Sequence, residues 1–193
     1  KYNHTGESII YGDTDSVYFT AHKTLKDDID AGKIAWNKDS VIALYDKIAE
    51  ELNTTFTGYM TKAFHCPHTR GAVIQAGREL VAIKGLFITK KRYAVLYYDR
   101  EGERVDNAGK DGKVKAMGLD LKRSDTPVFV QDFLSEILYM VLQGKTEKEV
   151  LEAITNFRTQ FKAKPGWEKG SPKRANNVTK YTEEEKKKGK ANM

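Results

Sequence analysis

The chain has 193 residues, of which 39% are hydrophobic and 31% charged, a balance that suits one or two domains with a buried core. No run approaches the roughly 18 consecutive apolar residues of a membrane-spanning helix, and no basic segment leads into an apolar one as in a secretory signal. The single cysteine, Cys66, forms no internal disulfide and fits a reducing compartment. The first residue is Lys1 rather than methionine, so a piece of a longer protein is expected.

The formal charge of +6 is unevenly placed. Up to residue 161 there are 23 Lys+Arg and 23 Asp+Glu, whereas Lys162 to Met193 holds 10 basic and 4 acidic residues. A basic segment on a neutral body suits a phosphate-backbone partner. A solvated tail fits the same charge pattern equally well.

In chain order, Ser8–Tyr11 and Val17–Ala21 read as short strands around Gly12-Asp13-Thr14-Asp15, a hairpin with its acids at the tip. Lys23 to Asn37 reads as polar and irregular. A helix is expected from about Lys38 to Ala63, because Val41, Leu44, Tyr45, Ile48, Leu52, Phe56, Tyr59 and Ala63 recur on one face, with Pro67 ending it. Strands are expected at Ala72–Gln75, Leu80–Ile83, Leu86–Thr89, Arg92–Tyr98 and near Lys113–Leu121, with turns at 99–102 and 107–112. Thr126-Pro127 reads as an N-cap and first helical residue of a helix running to about Gln143, terminated by Gly144. A further helix is expected from Glu147 to Phe161, after which the pattern dissolves into polar, lysine-rich chain. The class is α+β, with an antiparallel sheet and three long helices.

The chemistry concentrates in Tyr11-Gly12-Asp13-Thr14-Asp15-Ser16. Two carboxylates one residue apart in a tight turn can converge on hard cations such as Mg²⁺, which prefer oxygen ligands. Gly12 leaves room for a substrate terminus, and the flanking strands hold the tip rigid. A bare Asp-x-Asp is also found in sugar transferases and in ordinary surface turns. No acid lies between Leu80 and Tyr98, a stretch carrying Lys84, Lys90, Lys91 and Arg92. On a hairpin such cations track a phosphate backbone, and Tyr93 packs either against sugar or base or into the protein core. Strand alternation would put Lys91 and Tyr93 on one side and Arg92 on the other. His65-Cys66-Pro67-His68 lacks the second cluster that a four-ligand zinc site needs.

Tyr-Gly-Asp-Thr-Asp-Ser resembles motif C of the family B DNA polymerases, the T-even phage type in particular. Three further stretches match in order: Lys90-Lys91-Arg92-Tyr93, then Met117-Gly118-Leu119-Asp120 with Ser124-Asp125-Thr126-Pro127, then Ala175-Asn176-Asn177-Val178-Thr179-Lys180-Tyr181. The resemblance implies a palm sheet with the motif-C hairpin packed by helices (residues 1–125), then the helical beginning of a thumb (126–193). It implies Asp13 and Asp15 as catalytic ligands of two Mg²⁺ ions, a site completed by residues outside this chain. Glu79 would join them; its alternative is a strand-end ion pair with Arg78 or Lys84. Thr14, Lys90, Lys91, Arg92 and Tyr93 would hold primer–template DNA, with Lys122, Arg123, Lys169, Lys173, Arg174 and Lys180 as candidates along the duplex.

The other partners implied are deoxynucleoside triphosphates, a sliding clamp, and the remainder of the polymerase, in cis or in trans. That remainder comprises the exonuclease, motif A, the fingers and the rest of the thumb. Without motif A and fingers the chain alone is expected to be inactive. The phage likeness implies the cytoplasm of a host cell. The alternative is a non-catalytic DNA-binding module of a split polymerase.

Overall fold

The structure, a computed structural model, describes residues 8–106, 110–119, 121, 123 and 125–170. It is α+β, with antiparallel strands. The elements are β1 (Ile9–Asp13), β2 (Ser16–Phe19), α1 (His22–Asp30), α2 (Lys38–Phe64), α3 (His68–Gly71), β3 (Leu80–Thr89), β4 (Arg92–Arg100), β5 (Glu103–Arg104), β6 (Lys113–Met117), α4 (Val128–Gln143), α5 (Glu147–Ala163) and α6 (Gly166–Lys169). Strands β1 and β2 form a separate two-stranded sheet. In the second sheet β4 pairs with β3, β5 and β6. No described helix is long and apolar enough to cross a membrane.

The chain divides into two compact units that interleave in sequence. One takes the chain up to Ile83 together with Tyr97–Lys113; the other takes Lys84–Leu96 together with the chain from Val114 on. In the first unit Val41, Val81 and Tyr98 form the core, against which Trp36, Ile42 and Tyr45 pack. Helix α2 starts where Asn37 and Ser40 cap each other: the Asn37 side chain accepts from the Ser40 amide, and the Ser40 hydroxyl accepts from the Asn37 amide. It ends at His65, which takes the left-handed conformation ahead of Pro67.

Arg78 bridges two elements of this unit. Its Nε donates to Asp46 on α2 at 2.5 Å, and its Nη1 donates to Asp99 on β4. Asp99 is 1% exposed and also accepts from the Gly102 amide. Burial opposes the Arg78 charge, but the two carboxylates outweigh it and raise its pKa. At the start of α2, Arg104 and Lys38 both donate to Asp106, while their cations flank the Tyr98 ring at 5.6 and 5.4 Å.

In the second unit Ala94, Leu96 and Leu142 form the core, packed by Val114, Ala116, Leu119, Leu138 and Tyr139. Helices α4 and α5 meet through Phe129, Phe133, Phe157 and Phe161; the Phe133 and Phe157 rings stack 3.7 Å apart. Helix α5 begins with a reciprocal cap between Thr146 and Glu149. The Thr146 amide and hydroxyl, with Lys145, hold the Glu149 carboxyl down at about 2.

Several expectations are corrected. Residues 22–30 are helical rather than irregular, a short α1 with only Leu25 and Ile29 at helical spacing and no buried residue. Ala72–Gln75 is not a strand: Asn53 of α2 bonds both the amide and the carbonyl of Ala76, so this backbone is tied to a helix side chain. Val73 is 81% exposed. Residues 80–89 form one strand instead of two, continuing through Gly85, where an added Cβ would lie 2.6 Å from the Phe87 ring. Strand β6 stops at Met117, because Gly118 turns to φ +63°. Pro127, not Thr126, occupies the cap position of α4.

Two outcomes follow. Replacing Arg78 by Met should cost about 3–5 kcal/mol, because it strands the buried Asp99 carboxylate; urea denaturation of the variant checks this. Arg104 first, then Lys38, hold the Asp106 carboxyl far below its usual range. A depressed folded-state pKa gives stability that is complete above the unfolded value near ~3.9 and is lost as pH falls through the folded value. Asp106→Asn should therefore be less stable at neutral pH and should flatten the acid limb of the stability–pH curve.

Candidate functional site

The acidic turn lies in the first unit. Pairing of Asp13 with Ser16 and of Gly12 with Val17 leaves Thr14 and Asp15 as a two-residue turn, with Thr14 in the left-handed region at φ +50°. Asp13 is half-buried at the end of β1. Its Oδ1 accepts from the Thr14 hydroxyl at 3.1 Å, and its Oδ2 accepts from the Tyr11 hydroxyl at 3.5 Å. The Ser16 hydroxyl closes the turn by donating to the Asp13 carbonyl at 3.1 Å. Asp15 is exposed at the tip and makes no hydrogen bond or ion pair among the described residues.

Gly12 is not demanded by the hairpin itself. Its φ is ordinary, and an added Cβ would come no closer than 3.6 Å to the Ser16 carbonyl. The hairpin is seated through β2: Phe19 meets the Tyr45 ring of α2 edge-on at 5.3 Å, and the Tyr45 hydroxyl accepts from the Ala21 amide at 3.1 Å.

Two carboxylates on one turn offer hard oxygen ligands of the kind Mg²⁺ takes. The set is incomplete, since no three His, Cys, Asp or Glu side chains among the described residues gather into a metal-holding group. Glu79 is exposed just ahead of β3, and its carbonyl accepts from the Glu101 amide at 2.8 Å. Arg78 is engaged with Asp46 and Asp99, and Lys84 donates to the Gln143 carbonyl at 3.4 Å. His65 serves as the left-handed cap of α2, a backbone role.

The basic turn lies in the second unit. Lys90 and Lys91 link β3 to β4, with Lys91 at φ +61°. Lys90, Lys91 and Arg92 are all exposed. Tyr93 is 7% exposed and its ring stacks on Phe87 at 5.6 Å, which is the packing role rather than the open, base-stacking one. The expected alternation fails because Lys91 belongs to the turn and not to the strand. Arg123 is exposed and held by both oxygens of Asp125, at 2.9 and 2.7 Å. Lys169 donates to the Lys162 carbonyl at 3.4 Å. Lys122, Lys173, Arg174 and Lys180 lie outside the described residues.

Sequence reasoning gave no role to Gly118. An added Cβ there would lie 2.0 Å from the Lys91 carbonyl oxygen, so this glycine abuts the basic turn. The signal available was a glycine ending a strand, which marks a positive φ or a close backbone approach without saying to what.

The chain is 28% identical over 184 residues to the DNA-directed DNA polymerase of Enterobacteria phage T4, covering 90% of this chain and 20% of that protein. It is 30% identical over 144 residues to the DNA-directed DNA polymerase of Escherichia phage RB69, covering 70% and 15%. DNA polymerase 037L of Invertebrate iridescent virus 6 is 22% identical over 152 residues, covering 77% and 11%. The chain thus spans about a fifth or less of the length of these relatives. The profile of DNA polymerase family B matches residues 2–188, nearly the whole chain, and the chain belongs to that family.

Proposed function

We propose that this chain is the motif-C part of the palm, with the start of the thumb, of a template-directed DNA polymerase. The observation that carries the reading is the acidic turn 13–15 inside a family match that covers residues 2–188. Asp13 and Asp15 would hold the catalytic Mg²⁺ ions, Asp15 at the open tip and Asp13 at the strand end. Bound there, the ions would polarise the phosphoryl group and stabilise the attacking and leaving oxygens of nucleotidyl transfer. This chain's share is to hold the two carboxylates on a closed turn and to leave space at Gly12 for a primer terminus. Further ligands come from outside these residues, Glu79 being a candidate within the chain. Lys90, Lys91 and Arg92 grip the phosphates of the primer–template duplex, while Tyr93 supports their turn from inside.

The incoming nucleotide, the proofreading function and any clamp are handled by the remainder of the polymerase, in cis or in trans. The purified chain alone incorporates no nucleotide. The setting is the cytoplasm of a cell in which a phage-like genome is copied. The alternative of a DNA-binding module with vestigial acids differs in one respect: it predicts no metal dependence at the acidic turn.

Binding of a primer–template duplex by the full chain, followed across a salt series, tests the grip. Each phosphate contact contributes about 0.9 to the slope of log affinity against log salt, so Lys91→Ala should lower that slope by about 1. An unchanged slope would remove Lys91 from the grip. Template-dependent incorporation by the purified chain, abolished in Asp15→Ala, would overturn the claim that the missing parts are required.

A further inference from the structure

We infer that Gly118 is a positioning residue for the duplex grip, acting through the backbone of Lys91; this rests on the reading of the basic turn as that grip. The contact is backbone to backbone. A Cβ on Gly118 would lie 2.0 Å from the Lys91 carbonyl oxygen, 3.1 Å from its carbon and 3.2 Å from Arg92 Cγ. The Gly118 carbonyl in turn accepts from Arg92 Nε at 3.3 Å. Both Gly118 and Lys91 have left-handed backbones, at φ +63° and +61°, so two turns are nested against each other.

Lysine side chains carry four rotatable bonds and fix little by themselves; where their charges fall is set mainly by the backbone that presents them. The Lys91 backbone is held from below by Gly118. Gly118 is fixed through its neighbour Leu119, which packs with Ala94, Leu96 and Leu142, and through β6, whose Val114 and Ala116 pack on the same cluster. The two sides of the contact therefore differ in how readily they yield. Lys90 and Lys91 are exposed, while Leu119 is half-buried and packs against the core of Ala94, Leu96 and Leu142. A side chain added at Gly118 displaces the basic turn before it displaces the core. Duplex affinity then suffers more than folding.

The test uses the full chain and its Gly118→Ala variant, with Gly102→Ala as control. Gly102 is also left-handed, at φ +89°, but nothing lies within 4 Å of an added Cβ. In Gly118→Ala the amide resonances of Lys90, Lys91 and Arg92 should shift, while those of Ala94 and Leu96 stay in place. Affinity for a primer–template duplex should fall about tenfold, a loss in the range expected for one overpacked contact. Gly102→Ala should do neither.

In a double-mutant cycle, Gly118→Ala added to Lys91→Ala should weaken binding little beyond Lys91→Ala alone, because both act through one group. Additive losses would overturn the inference, as would resonance shifts spread evenly over β4 with a matching fall in stability. If Lys91→Ala weakens binding and Gly118→Ala does not, only the positioning role fails. If wild type and Lys91→Ala bind DNA alike, the grip reading has failed and the positioning role goes with it.

Discussion

The arrangement of the first unit depends on one guanidinium. Arg78 donates to the buried Asp99 side chain inside β4, and it reaches Asp46 on α2 with its other edge. Such a pair adds little net stability over an apolar replacement, since desolvation consumes most of the attraction. Its effect is positional: one side chain ties α2 to β4 through both carboxylates. Tyr45, next to Asp46 in sequence, then presents its ring to Phe19 and its hydroxyl to the Ala21 amide. The path from Arg78 to the acidic turn therefore runs through one helix turn and one strand. Rigidity at the tip of a two-stranded sheet, which is marginal on its own, comes from that helix.

The acidic and the basic turn are built alike and loaded differently. Each is a two-residue hairpin with one non-glycine residue in the left-handed region, Thr14 in one and Lys91 in the other. In the acidic turn the side chains close on themselves: Thr14 and Tyr11 donate to Asp13, Ser16 donates to its carbonyl, and Asp15 stays open. An open carboxylate beside a restrained one suits a metal that must also accept water and phosphate oxygens. In the basic turn the restraint comes from outside the hairpin, through Gly118, and the cations remain exposed. That division suits a surface that must meet phosphates of any sequence.

Much of this was legible in the residues. The period of apolar residues placed α2 and α5 to within a few positions, and the Gly144 terminator and the acidic hairpin were read correctly, because each rests on local chemistry. Helix α1 was missed because nine mostly polar residues with two apolar ones at helical spacing give too weak a period. Val73 and Ile74 favoured a strand, but a strand needs a partner ladder, and Asn53, more than twenty positions earlier, had taken the backbone of Ala76. The burial of Tyr93, the division of Arg78 between Asp46 and Asp99, and the seat of Lys91 on Gly118 are long-range contacts. Composition and spacing do not say which residues such contacts join.

The central claim is that Asp13 and Asp15 form a metal-binding turn, and trace Mn²⁺ added to the Mg²⁺-equilibrated chain tests it most directly. Paramagnetic broadening of amide resonances should centre on Gly12–Ser16 and should vanish in Asp15→Asn, while the Phe19 and Tyr45 signals stay unchanged in the variant. Broadening centred on another acidic segment, or undiminished in Asp15→Asn, would contradict the account and leave the chain as a DNA-binding module.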